Sequence, residues 1–242
     1  MKKFLLILSL LILESSSAKA FDPSAFITQS AQISKGGYAT IIFDSSFDGG
    51  DKSLSLPFLE IRHVVGEKFR LGVLTDLKYA EDNGSSAFGF GNITSTFEMK
   101  LIEKGFVDYA SFYSNNTFPT AHSNLLSDDK HSFEFGIVIQ EHFLKKYTFF
   151  SETGYKLNIP ENDAIFHSII SNQAIVYEGF KRFEPYLESL IEIGFNGSSS
   201  IRVLPGLTIP ITDDLYTYVG IPVGLNSQSP DYGFLVGATI NF

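Results

Sequence analysis

Hydrophobic and polar residues alternate along most of this chain. Phe69, Leu71, Val73, Thr75, Leu77 and Tyr79 fall on one side of a two-residue repeat, against Arg70, Gly72, Leu74, Asp76 and Lys78 on the other. Phe133, Phe135, Ile137 and Ile139 oppose Glu134, Gly136, Val138 and Gln140 in the same way. Leu187, Ser189, Ile191 and Ile193 oppose Glu184, Tyr186, Glu188, Leu190 and Glu192. The final run sets Tyr232, Phe234, Val236, Ala238, Ile240 and Phe242 against Gly233, Leu235, Gly237, Thr239 and Asn241. Successive side chains of a strand point to opposite faces, so this period predicts β-strands with one apolar and one polar or mixed face. Twelve such runs succeed one another, at 37–46, 54–64, 69–80, 89–102, 106–115, 132–143, 147–158, 165–178, 183–194, 200–210, 215–225 and 232–242. None of them carries a convincing 3.6-residue period.

The connections alternate as well. GEK, EKG, LKK, FKR and TDD read as tight turns, and all but the last contain Lys or Arg. Between them lie longer stretches rich in Gly, Asn, Ser and Asp, such as SFDGGDKS, EDNGSSA and the segment 114–131. Twelve antiparallel strands starting at the tight-turn side place every tight turn and the C-terminus at one end and every long loop at the other. That layout predicts an all-β, antiparallel up-and-down transmembrane β-barrel with short periplasmic turns and longer extracellular loops. Aromatic residues beside the tight turns, among them Phe69, Phe106, Phe143, Tyr147, Phe180, Phe183 and Phe242, suit an interfacial girdle. Phe and Tyr are also simply good strand residues, and the chain has no Trp.

The first residues add an address. Lys2 and Lys3, the apolar stretch Phe4 to Leu13 and the small-residue site Ala18-Lys19-Ala20 read as a signal peptide over 1–20, too short to span a bilayer as a helix. Its removal takes the formal net charge from −9 to −11, which argues against a nucleic-acid partner. Cysteine is absent, so there is no thiol nucleophile or thiolate metal site. Over 21–36, Asp22, Pro23 and Gly36 offer cap, first-turn and stop signals for a short helix, with an unstructured lead-in as the alternative. The barrel domain is then 37–242.

A soluble periplasmic β-sandwich would show the same alternation, with its apolar faces packed together in a dry core. The loop asymmetry and the terminal strand favour the barrel. In a barrel the residues opposite the apolar face line the lumen: Arg70, Asp76, Lys78, Glu98, Lys100, Glu134, Glu152, Lys156, Glu184, Glu188, Glu192 and Arg202. The row Glu184, Glu188 and Glu192 either sets a cation preference or braces the wall by ion pairs with Arg70, Arg202 or Lys156. Pro57, Pro185, Pro205 and Pro222 sit inside the strands, where a residue without an N–H predicts bulges or displaced boundaries.

Several short motifs carry a resemblance. FGFGNIT (88–94), FEPYLE (183–188), VLPGLTIPITDDL (203–215) and GIPVGLNSQSPDYGFLVGATINF (220–242) resemble the outer-membrane proteins grouped as the phenol-degradation meta-pathway (MetA-pathway) family. The chain departs from that family at Asn92, where Asp is common, and in FEMKLIEKG, which lacks the family's continuation of the strand. The resemblance implies a twelve-stranded barrel in the Gram-negative outer membrane that passes or binds small molecules, hydrophobic ones included. Phe242, with Ile240 and Ala238 before it, also resembles the terminal signal read by the barrel-assembly machinery. Such a strand adds to a sheet edge through main-chain hydrogen bonds.

No phosphate loop, metal spacing or cofactor motif stands out. His122-Ser123-Asn124 is the one enzyme-like element, with no partner carboxylate beyond loop acids, and it reads first as a polar loop. Acidic loops (Asp48, Asp51, Glu81, Asp82, Asp128, Asp129, Glu161, Asp163, Asp231) are solvated or bridge divalent cations to lipopolysaccharide. The expected function is therefore a non-catalytic outer-membrane channel or transporter without a cofactor, whose partners are outer-membrane lipid, lipopolysaccharide, the assembly machinery and a small solute. A structural barrel contacting a partner through loop 114–131, and a rim lipid hydrolase using Ser123, are the alternatives.

Overall fold

The computed structural model describes residues 32–33, 36–48, 51–82, 84–123, 125–126, 130–160, 165–180 and 182–242. The leader expected at 1–20 and the helix expected from Asp22 onward lie outside the described residues, as do Asn124, Asp128, Asp129, Glu161 and Asp163.

Fourteen segments follow in order: β1 (Gly37–Asp48), β2 (Asp51–Val65), β3 (Phe69–Asp82), β4 (Ser85–Phe90), β5 (Ile93–Glu103), β6 (Tyr109–Phe118), β7 (Lys130–Phe143), β8 (Tyr147–Pro160), β9 (Phe166–Tyr177), β10 (Glu184–Gly194), β11 (Ser199–Pro210), β12 (Leu215–Gly220), β13 (Val223–Gly224) and β14 (Tyr232–Asn241). Neighbours pair antiparallel, and β1 pairs with β14 from Tyr38↔Asn241 to Phe47↔Tyr232 without a register shift. The sheet thus closes on itself. β4 and β5 are one strand broken at Gly91 and Asn92, since both pair with β3. β12 and β13 are likewise one strand broken at Ile221 and Pro222. Counted so, the barrel has twelve antiparallel strands. Gly37 and Phe242 exchange main-chain hydrogen bonds of 2.7 and 2.8 Å where the first and last strands meet. We call that rim the near end and the opposite rim the far end.

Burial is inverted relative to a water-soluble fold. Ile41, Leu71, Val73, Ile137, Leu187 and Val236 are exposed on the outer wall, whereas Thr40, Arg70, Glu98, Gln140, Glu188 and Thr239 are buried inside. A sandwich would bury the first set and hydrate the second, so the soluble alternative is excluded by which face is which.

Three prolines mark irregularities, each for its own reason. Pro57 lies in the register shift between Ser55 and Phe58. Pro205 pairs in register with Leu187, and its carbonyl accepts from the Ile221 N–H at 3.1 Å. Because a strand residue's C=O and N–H point to the same side, its missing donor faces the gap between β12 and β13 rather than β10. Pro222 sits in that gap, and its carbonyl accepts from Gly233 at 2.9 Å. Pro185, by contrast, is second in β10, ahead of that strand's first pair with β9.

The loop asymmetry is weaker than the sequence suggests. SFDGGDKS and EDNGSSA are mostly strand: β1 and β2 pair as far as Asp48↔Asp51, and β3 and β4 as far as Asp82↔Ser85. Their Gly, Ser and Asp content disfavours strand only weakly, and the ladder hydrogen bonds run on because neither face there has to be apolar. The EKG and FKR turns are also longer than expected, with β5 ending at Glu103 before Tyr109 and β9 at Tyr177 before Glu184. The break of β6 from β7 between Phe118 and Lys130 remains the longest connection.

Candidate functional site

The lumen is where the chain gathers its charges. In the near half, Arg62 of β2 bonds Glu60 and Glu98, and Arg70 of β3 holds the other Glu98 oxygen, with Nε at 2.9 Å from Oε2. Tyr38 of β1 lies beneath both guanidiniums, 5.9 and 5.4 Å from its ring centroid, and its hydroxyl donates to Glu60 at 3.3 Å. Register explains the assembly, because Tyr38, Arg62, Gly72 and Thr96 stand level on successive strands. A Cβ on Gly72 would stand 2.6 Å from Thr96 Oγ1 and also strike the Arg62 stem, so glycine there makes room for the arginine. Arg62, Arg70 and Glu98 are 5%, 3% and 1% exposed. Ions so far from water persist only when paired and hydrogen-bonded, and stripping one partner from such a group costs about 3–5 kcal/mol.

Around the rest of the wall the inner face is filled by tyrosine and apolar side chains interspersed with buried polar ones such as Gln140, Thr148 and Glu188. Phe150, Ala174, Val176, Tyr186 and Leu204 form one buried cluster, and Ile42, Tyr216, Tyr218 and Leu235 another. Tyrosines lie over glycines in a repeated arrangement. Tyr113 stands level with Gly136 and Gly154, Tyr186 with Gly206 and Gly220, and Tyr218 with Gly237. A Cβ on Gly136 would come 2.8 Å from the Tyr113 ring, and one on Gly220 would come 2.9 Å from the Tyr186 hydroxyl. Every strand from β1 to β12, except the short β4, and also β14, sends at least one buried side chain into this half, so side chains of the described residues narrow the passage there.

Among the described residues, cavities lie on either side of this packing. Toward the far end, one of about 320 Å³ is lined by Asp76, Lys78, Lys156, Asn158, Phe58 and, from the long β6–β7 connection, Leu126. Leu126 is 2% exposed, so that connection reaches into the barrel. A second, of about 240 Å³, is lined by Glu134, Glu152, Glu192, Arg202, Asn115 and Asn172. The third, about 310 Å³, opens at the near end between Lys100, Glu103, Val64 and the lead-in residue Ile33.

These positions sort the charges expected to face the lumen. Arg70 and Glu98 come together in the near-half cluster. Asp76 accepts from Ser55 at 3.0 Å and shares its cavity with Lys78 and Lys156, while Lys156 pairs with Glu192 at 3.5 Å. Glu134, Glu152 and Arg202 meet in the second cavity, and Glu188 is completely buried between the two levels. Lys100 stands apart at the near mouth, 2.9 Å from Glu103. Glu184 begins β10 near Glu178. The glutamate row therefore spreads over three levels, with Arg70 committed to Glu98. Glu60, Arg62, Tyr38 and Asp44 went unnoticed in the sequence, although Leu59 and Ile61 against Glu60 and Arg62 is the same two-residue alternation, obscured by the nearby Pro57. On β14, Ala238 and Ile240 share the outward face, and Phe242 stacks near His63, 6.4 Å between rings.

The histidines are engaged locally. His131 bonds Asn116 at 2.6 Å, His142 bonds Asp108 at 2.9 Å, and His167 bonds the Tyr155 hydroxyl. His122 covers Gly89, and Ser123 Oγ accepts from the Leu125 N–H at 3.3 Å.

No protein-family model matches the chain, and no curated protein matches its sequence. Solved structures do match in shape. An outer membrane channel from Pseudomonas putida F1 superposes with a TM-score of 0.69 at 10% identity, covering 90% of this chain and 99% of that one. The NanC porin gives 0.60 at 7% identity, over 85% of this chain and all 100% of that one. The translocator domain of the autotransporter NalP from Neisseria meningitidis gives 0.52 at 11% identity, over 87% and 90%. Likeness at such identities establishes the fold, the closed β-barrel of outer-membrane proteins.

Proposed function

We propose that this protein is an outer-membrane channel for small polar solutes, exported by residues 1–20 and inserted by the assembly machinery through Phe242, Ile240 and Ala238. The observation that carries the reading is the composition of the obstruction. Beneath an apolar outer wall, the described residues that separate the polar cavities at the two ends meet through their side chains, with an ion-pair cluster as the charged part of the plug. Side chains can be displaced without breaking the strand ladder of the wall. Charged cavity linings favour polar over hydrophobic solutes. That the similar structures include a channel and a porin supports the same reading.

Planar-bilayer conductance tests it. The wild type should give small, flickering channels, and the joint replacement of Arg62→Ala and Glu98→Ala should raise the open conductance severalfold by removing two members of the plug. Silence from both proteins, each recovered folded in outer membranes, would leave the second reading, a non-conducting structural barrel. That reading is favoured by the packing of the near half.

A further inference from the structure

The outer wall carries a patch that hydrocarbon cannot serve. On β9, Ile169 and Ile175 are exposed while Ile170, Asn172 and Ala174 are buried, so the face turned to the bilayer also holds Ser171 and Gln173. By the same alternation Ser151 and Thr153 face outward on β8, and Ser189 on β10. Register gathers them: Ser151 and Ser189 flank Gln173 at its own level, and Thr153 stands level with Ser171. The strands beyond are apolar at this height, with Ile139 opposite Ser151, Ile137 opposite Thr153 and Val203 opposite Ser189. Aromatic pairs toward the two rims set the depth, Tyr147 with Tyr177 at 5.0 Å between ring centroids and Tyr155 with His167 at 5.6 Å. Ser151 is midway between Tyr147 and Tyr155 along β8, a stretch of about 26 Å at ~3.3 Å per residue, so the patch lies near mid-membrane. Gln173 Nε2 donates to Ser151 Oγ at 2.9 Å and to Ser171 Oγ at 3.3 Å. Among the described residues, however, its Oε1 accepts from no donor, and Thr153 and Ser189 make no side-chain hydrogen bond. Asn116, an outward amide nearer the far rim, is by contrast answered by His131 at 2.6 Å.

We infer that this patch is the contact between two copies of the chain in the membrane, related by a two-fold axis near Gln173. Acyl chains offer neither donor nor acceptor, and headgroups do not reach mid-bilayer, whereas a second copy brings the same polar groups to the same depth. The set is self-complementary, because hydroxyls both donate and accept, and the Gln173 oxygen of each copy accepts from a serine hydroxyl of the other. Serine is also small, so the wall is lowered beside Gln173 and two barrels approach closely there. Lipid is as apolar as the rest of the wall, which leaves hydrogen bonds and close packing to hold the pair. Two convex walls touch over about three strands, a strip on the order of 350 Å² for a spacing of ~4.8 Å and a height of ~25 Å. That is less than the about 800 Å² a stable interface takes from each partner, so the dimer is reversible. Contact and conductance are independent properties, and either can fail without the other.

Association is measured in proteoliposomes by energy transfer between donor-labelled and acceptor-labelled copies of the full chain. The label sits on a single cysteine, Asp213→Cys in the turn between β11 and β12, since the natural chain has none. Transfer should saturate as the protein-to-lipid ratio rises, fall on dilution with lipid and be competed away by unlabelled protein. Gln173→Leu combined with Ser189→Ala should move the midpoint about tenfold toward higher protein density, while Thr75→Leu, an outward hydroxyl on β3, should leave it in place. All variants should keep the heat-modifiable mobility of a folded barrel. Wild-type transfer no greater than random proximity at every ratio overturns the inference, and that arm needs no variant to fold. A dimer untouched by Gln173→Leu with Ser189→Ala uses another face and overturns the assignment to this patch. In native membranes, a photoreactive residue in place of the exposed Ile175 should trap a product of twice the chain's mass, and capture of a different protein alone overturns the second copy as occupant.

Discussion

At the scale of single residues, the inner wall works by matching large side chains to missing ones. Tyr113 occupies the space that Gly136 and Gly154 leave on the next two strands. Gly154→Val should therefore destabilise the barrel by about 1–3 kcal/mol, the cost of overpacking, read as a lower urea midpoint in micelles. Tyr113→Ala combined with Gly154→Val should recover part of the loss, because the collision then disappears. A second prediction concerns Asp108, outside the strands, whose carboxylate accepts from the His142 N–H at 2.7 Å and from its ring at 2.9 Å. Those bonds hold its pKa below the ordinary 3.8. A depressed carboxylate contributes stability that is fully present above its unfolded value and is lost as the pH falls through the folded one. The His142 amide should accordingly stay protected from exchange at neutral pH and lose protection only in acid below about pH 4, and Asp108→Asn should flatten that dependence. Pairings such as Tyr113 with Gly154 were not legible in the sequence, because they depend on register across strands and local periodicity carries no register.

At the scale of elements, alternation located nearly every strand, since the barrel's two faces see opposite solvents and the sequence records that difference at every second position. What it misjudged were the extensions past the wall. Beyond the apolar band both faces of β1, β2, β3 and β4 can be polar, and Gly, Ser and Asp then read as loop although Asp48↔Asp51 and Asp82↔Ser85 are paired. Arg70, Glu98 and Glu188 were legible as inward because they sit in clean alternation, whereas Arg62 was masked by the bulge at Pro57. The break between β12 and β13 gives a third prediction. Two prolines, Pro205 and Pro222, take two donors out of this part of the wall, so the amides of Ile221 and Gly224, though bonded to the Pro205 and Asp231 carbonyls at 3.1 Å, should exchange faster than those of Tyr218 and Val219 in the same strand, because the ladder around them is interrupted. Pro222→Val should slow them by restoring a donor toward β14, and no change would mean that the break has another cause.

For the whole molecule, closure is the property that everything else presupposes. Phe242 contributes a reciprocal main-chain pair with Gly37, and its outward-facing companions Ala238 and Ile240 abut β1. Deleting Phe242, or introducing Phe242→Asp, should lower the yield of heat-modifiable protein in outer membranes more than Asn241→Asp does, and equal yields would count against a special part for the terminal ring. An unclosed barrel would leave a row of unpaired donors and acceptors in hydrocarbon, where each one costs several kcal/mol. The seam has a temporal side as well. Thr40 and Thr239, hydrogen-bonded at 2.7 Å across it, are 199 positions apart along the chain. Contacts of such separation form slowly, because the loop they close must first lose its freedom. The nascent polypeptide thus carries both sheet edges open until β14 has reached β1, long after the first strand has been made.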